Sequence, residues 1–435
     1  MGGRTTALSV LIACRRQGAF SDGALKEYAR RDGLDRRDAA LAARLCYGVE
    51  QNRGLLDFYL SRFVRGKLKD LQPVVLDILR LGAYQIVFLD KVPDAAAVNE
   101  AVTQTKKYAN ARAAGLVNGV LRSLTRAKDA LPEPPDLATK YSHPAALVAL
   151  LQESLGEETE AFLRADNEAP ETVLQWNPLR GEEAELLREL DEKGVEWSRH
   201  PWLDGCYLVR GTGDLRGLDA FARGLVYVQD PAARLAAMAA GVRPGMRVLD
   251  CCAAPGGKSF AAAIAMENRG SITSCDLHAH KIALIAAGAE RLGISIIEAK
   301  AQDAAAFCPE WEQAFDAVIA DVPCSGLGVI RKKPDIRYKD VAQLAGLPRV
   351  QAAILENVSR YVRLGGVLLY STCTVLKREN EDIVNAFLAA HPEFHPECFD
   401  APEGAGFGNV PMATLLPRVN SHSSTWLRQP RWQLN

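Results

Sequence analysis

Two cysteines stand apart from the rest of this chain by the company they keep. Cys324 lies in Asp321-Val322-Pro323-Cys324-Ser325-Gly326-Leu327-Gly328, and Cys373 lies in Tyr370-Ser371-Thr372-Cys373-Thr374. Each follows an apolar run that reads as a strand, so each thiol is expected at a strand end among small or polar residues. Upstream, Cys252-Ala253-Ala254-Pro255-Gly256-Gly257-Lys258 follows Val248-Leu249-Asp250. A cofactor loop followed by two reachable thiols points to covalent chemistry on a ring that must be activated before it reacts. Carbon 5 of a pyrimidine is such a target. A thiolate adds to carbon 6, and carbon 5 becomes a nucleophile able to take a methyl group. Asp321, protonated or sharing a proton with the base, would hydrogen-bond nitrogen 3 of cytosine and ease the attack. Cys14, Cys46, Cys206, Cys275, Cys308 and Cys398 read as small hydrophobes, and Cys251 and Cys252 as structural.

The turn Pro255-Gly256-Gly257 lets backbone approach a ligand, because glycine has no Cβ. It lacks the full glycine signature of dinucleotide sites. Cys252 also stands where a phosphate loop would need its first glycine. Asp276 ends the second candidate strand, where an acidic side chain accepts bonds from ribose hydroxyls. Asp303 follows the third and would accept from an adenine amine. Carboxylates at successive strand ends favour an adenosine cofactor, S-adenosylmethionine, over a triphosphate with magnesium.

These residues need a scaffold that brings strand ends together. From residue 232 onward, helical segments alternate with apolar strands at 247–251, 271–275, 294–299, 317–320 and 367–370. That alternation implies right-handed βαβ units and a parallel, doubly wound sheet of Rossmann-like α/β class. Ligands of such sheets lie beyond the carboxyl ends of the strands. Residues 141–231 read as a small α+β adaptor, with strands at 172–176, 206–209 and 225–228 and a helix at 182–193. Residues 1–130 read as all-helical; Val75, Ile78, Leu79, Ala83 and Ile86 follow Pro73 at helical spacing. The proline-rich stretch 131–136 is a linker. Three parts are thus expected, at 1–130, 141–231 and 232–435.

A chain of 435 residues, 48% apolar and 24% charged, fits a globular protein of two or three domains. It has no apolar run of membrane-spanning length, and its N-terminus does not read as a signal peptide. Ten cysteines diluted over this length fit a reducing cytoplasm, and seven scattered histidines give no reason to expect a metal. A net charge of −1 hides an asymmetry. Residues 1–130 carry 22 Lys and Arg against 13 Asp and Glu, leaving 30 against 40 for the remainder. A basic N-terminal third implies a polyanionic partner. Arg331, Lys332, Lys333, Arg337 and Lys339, with Tyr338 among them, suit phosphate contacts and base stacking, so this segment is expected to touch RNA. A monomer is expected.

Together the motifs resemble the RNA cytosine-5 methyltransferases of the nucleolar-protein/Sun class over nearly the whole chain. The run 321–328 with Pro334-Asp335 downstream, and Ser371-Thr372-Cys373-Thr374 followed by Glu379-Asn380-Glu381, carry the resemblance. It implies a methyltransferase core with Cys373 as nucleophile and Cys324 assisting release. DNA cytosine-5 methyltransferases use the Pro-Cys thiol instead, which is the competing assignment. It implies cofactor contacts from Cys252, Ala253, Ala254, Pro255, Gly256, Gly257, Lys258, Asp276, Asp303 and Asp321. The N-terminal third is similar to NusB-type RNA-binding domains through Leu45-Cys46-Tyr47-Gly48-Val49 and Asn118-Gly119-Val120-Leu121-Arg122. The combination resembles bacterial methyltransferases of 16S ribosomal RNA; another RNA, such as tRNA or 23S ribosomal RNA, and a non-catalytic RNA-binding scaffold are the alternatives. Two departures stand out. The adaptor has Gln175-Trp176-Asn177 where the class has Arg-x-Asn. After Leu415-Leu416-Pro417, residues 420–426 and a Pro430-containing tail replace the expected glycine-rich turn and aromatic last strand, which bears on stability and substrate positioning.

Overall fold

The computed structural model describes residues 2–17, 21–210, 215–397 and 414–417. They belong to two units, Met1–Ala169 with Leu327–Val341, and Pro170–Gly326 with Ala342–Asn435. Among the described residues no helix is long and apolar enough to cross a membrane. The segment 420–435 lies outside the described residues.

The first unit is helical. Its longer helices are Gly3–Gln17, Ser21–Arg31, Arg36–Gln51, Arg53–Leu60, Pro73–Phe88, Asp94–Tyr108 and Ala111–Ala127. Asp35 starts one by accepting the Asp38 N–H at 2.8 Å, and Asn110 starts another by accepting the Ala113 N–H at 2.9 Å. Pro73 is the first residue of its helix, where a missing N–H leaves nothing unpaired. Val75, Ile78, Leu79, Ala83 and Ile86 are all buried, packed with Leu8, Leu45, Leu56 and Leu121. Each large side chain buried this way stabilises by roughly 1.5–3 kcal/mol. Gly48 permits a close helix crossing, since a Cβ there would stand 1.9 Å from the Tyr84 ring. Residues 141–169 are also largely helical and lie in this unit rather than with the adaptor strands.

The segment Leu327–Val341 packs within this helical unit, and it corrects one expectation. Arg337, expected on RNA, is fully buried. Its Nη1 donates to the Gln51 carbonyl and to Asn167 Oδ1, each at 2.9 Å. The Tyr338 hydroxyl donates to the Glu50 carbonyl at 2.7 Å, and the Arg53 guanidinium covers the Tyr338 ring at 3.5 Å. The cause is the C-terminus of Arg36–Gln51, whose last carbonyls lack intrahelical partners and carry the negative end of the helix dipole. A guanidinium answers both needs. Arg337 and Tyr338 are therefore committed to the helical unit. Lys333 and Lys339 are exposed, Lys332 and Arg331 are half-buried, and Arg331 lies 3.8 Å from Glu168.

The second unit holds two sheets. Strands β1 (Thr172–Trp176), β2 (Glu196–Arg199), β3 (Cys206–Arg210) and β4 (Val226–Val228) form an antiparallel sheet in the order β2-β3-β1-β4. Gln175 is buried in it, accepting from Arg234 at 2.7 Å and donating to the Gln229 carbonyl at 3.2 Å. Asn177 donates to the carbonyls of Gly224 and Leu292, each at 2.9 Å, and so ties the adaptor to the end of helix Ala279–Leu292.

That sheet comprises β5 (Arg247–Asp250), β6 (Ser271–Asp276), β7 (Ile297–Ala301), β8 (Phe315–Asp321), β9 (Val362–Ser371), β10 (Phe394–Glu397) and β11 (Thr414–Pro417). Its order is β10-β11-β9-β8-β5-β6-β7, with β9 through β7 parallel and β10 and β11 antiparallel at one edge. Val248, Leu249, Val318, Ile319, Leu368 and Leu369 are fully buried, as expected of strands covered on both faces. Strand β7 starts later than its apolar run because Gly293, at φ +68°, and the Ile294 N–H returning to the Ala289 carbonyl close the preceding helix. Strand β9 starts earlier than expected, its first half masked by Gly365 and Gly366.

Arg337→Met should orphan two buried acceptors while keeping most of the bulk. At about 1–3 kcal/mol for each unsatisfied acceptor, thermal unfolding should begin several degrees lower, whereas Lys333→Ala should melt as the parent does. An unchanged melting point for Arg337→Met would show that the freed carbonyls find other partners.

Candidate active site

Parallel pairing sets the strand ends level. Asp250 of β5 pairs with Ile319 of β8, and Asp321, the last residue of β8, pairs with Ser371, the last of β9. The cofactor loop leaves β5, the Cys324 loop leaves β8 and the Cys373 loop leaves β9. All three open on one edge of the sheet.

The loop 252–258 turns at Gly256, which has φ +110°. A Cβ there would stand 2.4 Å from the Phe260 ring, so both the backbone and the space demand glycine. Helix Gly257–Ala265 starts immediately after, presenting its free N–H groups at the strand end. Lys258 does not point away as a solvated cation. Its Nζ donates to Asp321 Oδ2 at 2.7 Å, while Ser371 Oγ donates to Asp321 Oδ1 at 2.7 Å. Asp321 thus joins the cofactor loop, the end of β8 and the end of β9.

Beneath the loop lies a buried chain the sequence reading did not single out. Ser274 Oγ donates to Ser259 Oγ at 2.8 Å, and Ser259 Oγ donates to Asp250 Oδ2 at 2.7 Å. All three residues are fully buried. Burial pushes the Asp250 carboxyl up to about 7, and the nearby Asp321 charge pushes the same way. Asp250 Oδ1 and both amide atoms of Gln229 are buried without a partner. Gln229 sits beside the loop, its Nε2 3.3 Å from where a Gly257 Cβ would be. Unanswered polar atoms around a glycine cradle fit a polar ligand such as S-adenosylmethionine. Its holders would be the loop 252–258, Asp276 and Asp303. Asp276 is mostly buried, accepts the His278 N–H at 3.0 Å and lies 3.4 Å from Lys281 Nζ. Asp303 is exposed and accepts the Ala305 N–H at 2.9 Å. No cue beyond the strand-end position marked Gln229, whose polarity inside an apolar segment was the available signal.

The two thiols meet. Cys324 Sγ and Cys373 Sγ are 3.2 Å apart, and the Cys373 N–H donates to Cys324 Sγ at 3.3 Å. Ser325 Oγ and Thr374 Oγ1 link the same loops at 2.6 Å. Cys373 is exposed and Cys324 half-buried. The hydrogen bond to Cys373, then burial, then the charge Cys373 would carry, all push the Cys324 thiol far above the usual range. Burial and its bond to the neighbouring thiol therefore disfavour a Cys324 thiolate. The other described cysteines stay apart from this pair; Cys46, Cys206 and Cys275 are buried and pushed up by that burial.

Known proteins match this chain over most of its length. Residues 237–428 match the family model "16S rRNA methyltransferase RsmB/F", residues 1–126 match the NusB family, and residues 143–215 match the ferredoxin-like domain of RsmF/B-like methyltransferases. The "probable ribosomal RNA small subunit methyltransferase B" of Bacillus subtilis is 39% identical, covering 91% of this chain and 90% of its own length. The "ribosomal RNA small subunit methyltransferase B" of Klebsiella pneumoniae is 31% identical, covering 86% and 87%. The solved structure of PH0851 superposes with a TM-score of 0.78 at 26% identity, covering 95% of this chain and 98% of that one.

Gly256→Ala should weaken S-adenosylmethionine binding at least about tenfold by calorimetry, since strain above ~1.4 kcal/mol suffices for that factor. Wild-type affinity in that variant would remove the loop from the cofactor site. Asp250 generates a second expectation. The folded state keeps a proton on it up to pH of about 7, while the unfolded chain releases one near its ordinary value of 3.8. Stability should therefore fall as pH rises through that window, by on the order of 4 kcal/mol at most. Asp250→Asn should flatten this fall in urea titrations run across pH 4 to 7; an unchanged slope would assign the dependence to other groups.

Proposed function

We propose that this chain, which belongs to the 16S rRNA methyltransferase RsmB/F family, methylates carbon 5 of a cytosine in 16S ribosomal RNA through a covalent adduct on Cys373. It is an S-adenosylmethionine-dependent RNA methyltransferase. The bound cofactor supplies an electrophilic methyl group. The observation that carries the reading is the thiol pair, 3.2 Å apart, with Cys373 exposed and Cys324 half-buried and disfavoured as a thiolate.

The target base must leave its stack to reach both thiols. The Cys373 thiolate adds to carbon 6, and the displaced electron pair makes carbon 5 nucleophilic. Lys258 donates an ammonium hydrogen to Asp321 across 2.7 Å; passing that proton through Asp321 to nitrogen 3 would neutralise the charge the attack puts on the ring. After methylation the carbon 5 proton goes to water, the carbon 5–carbon 6 double bond re-forms and the carbon 6–sulfur bond breaks. The Cys324 S–H donates to the departing Cys373 sulfur and eases that break. Nitrogen 3 returns its proton to the Asp321–Lys258 pair.

The relatives' names and the NusB-family match support a 16S target. Arg331, Lys332, Lys333 and Lys339 remain the proposed phosphate contacts after Arg337 is withdrawn. We place the reaction in the cytoplasm, where the thiols stay reduced, and expect a monomer.

Unmodified 16S RNA, labelled S-adenosylmethionine and two variants test the reading. Cys324→Ala should trap a covalent RNA adduct stable on a denaturing gel and lower turnover by about 100-fold or more. Cys373→Ser should give neither adduct nor 5-methylcytosine yet bind cofactor normally. An adduct that survives Cys373→Ser but not Cys324→Ala would reverse the two roles.

A further inference from the structure

Each thiol sits between two anchored neighbours, and the anchors are adjacent residues of one peptide. Glu379 is fully buried. Its Oε2 accepts the Ser325 N–H at 2.9 Å and Gln351 Nε2 at 2.9 Å, and the same Nε2 donates to the Pro323 carbonyl at 3.1 Å. The residues before and after Cys324 are thereby held by one carboxylate–amide pair. Asn380 does the same for Cys373. Its Oδ1 accepts the Thr372 hydroxyl at 2.6 Å, and its Nδ2 donates to the Thr374 carbonyl at 3.1 Å. The Tyr370 hydroxyl fixes the peptide that joins the two anchors, donating to the Glu379 carbonyl at 2.6 Å.

A buried carboxylate is a costly way to fill space. Glu379 Oε1 and Gln351 Oε1 are moreover buried without partners. An apolar side chain at 379 would fill the space without an unanswered carboxylate oxygen. The carboxylate does one thing an apolar residue cannot: it grips the N–H that follows Cys324.

We propose that Glu379 and Asn380 are positioning residues that set the two thiols separately. Asn380 aims Cys373 for attack on carbon 6. Glu379, acting with Gln351, aims Cys324 for release of the product. This rests on the two-thiol reading above and deepens it. The division of labour follows from the bonds, because each side chain touches only one cysteine loop. A displaced Cys373 loop lengthens the approach to carbon 6 before any bond exists. A displaced Cys324 loop leaves attack intact and withdraws the S–H from the leaving sulfur.

The test follows adduct formation and product release separately with unmodified 16S RNA and labelled S-adenosylmethionine, using the full chain. Asn380→Ala should slow adduct formation at least about tenfold, with no adduct accumulating. Glu379→Gln should form adduct within about threefold of the wild-type rate yet accumulate it, as Cys324→Ala does. Gln351→Met, which spares the carboxylate, should accumulate it too and covers the case in which Glu379→Gln fails to fold. Adding Glu379→Gln to Cys324→Ala should cost nothing further, since both disable the same donor. Equal slowing of both steps in every variant, or no slowing in any, would overturn the proposal and leave these residues as ordinary fold supports. If Cys324→Ala itself traps no adduct, the two-thiol reading falls and takes this one with it. If Cys324→Ala traps adduct and Glu379→Gln and Gln351→Met do not, the positioning proposal alone falls.

Discussion

The carboxylate of Asp321 is the point on which the site depends. It is the last residue of β8, and it receives Lys258 from the loop after β5 and Ser371 from the end of β9. Three consecutive strands of the sheet are thus joined where their loops begin. The bond from Lys258 is charge-assisted and short, which gives it both strength and direction. It is also only partly shielded, with side-chain exposures of 15% for Lys258 and 31% for Asp321. A solvent-facing pair of this kind adds little to stability. Its value lies in geometry: the cofactor loop cannot shift without pulling on the strand that carries Cys324.

Parallel pairing is what makes that junction possible. Antiparallel neighbours would send alternate strand ends to opposite edges, whereas βαβ connections return every strand in the same direction. The register of β8 on β9 places Asp321 beside Ser371, and the two cysteines follow by three and two residues. Short offsets from paired strand ends bring two thiols 49 residues apart in sequence to 3.2 Å.

The chemistry-bearing loops were legible in the sequence because glycine, proline and cysteine after an apolar run have few other uses. The residues that hold those loops were not. Glu379 and Asn380 follow the second cysteine motif, but nothing in the order of residues says that one reaches the first cysteine loop and the other the second. Gln351 lies in the middle of a helix and carries no signal at all. Arg337 was misread for a related reason. A cation in a basic stretch looks like its neighbours until the fold shows which carbonyl needs a donor, and here that carbonyl belongs to Gln51, 286 residues upstream. Strands β10 and β11 escaped because each is only four residues long, while Gly365 and Gly366 hid the first half of β9. Local pattern reports what a residue can do; long-range pairing decides what it is asked to do.

The asymmetry of the thiol pair bears on the competing assignment, in which the Pro-Cys thiol would attack. Two sulfurs at 3.2 Å cannot both ionise without strong repulsion. The proton stays where a charge would be harder to solvate, and that is Cys324, half-buried and already accepting the Cys373 N–H. That N–H and the Gly326 N–H would stabilise a Cys324 thiolate, but the two backbone bonds offset the burial only in part. Cys373 faces solvent and can disperse its charge into water until a base displaces it. An attack by Cys324 would require the charge to move to the less solvated sulfur and the donor to sit on the exposed one. The arrangement of burial therefore favours a thiolate at Cys373 over one at Cys324 before any substrate is bound, as the proposed order of attack and release requires.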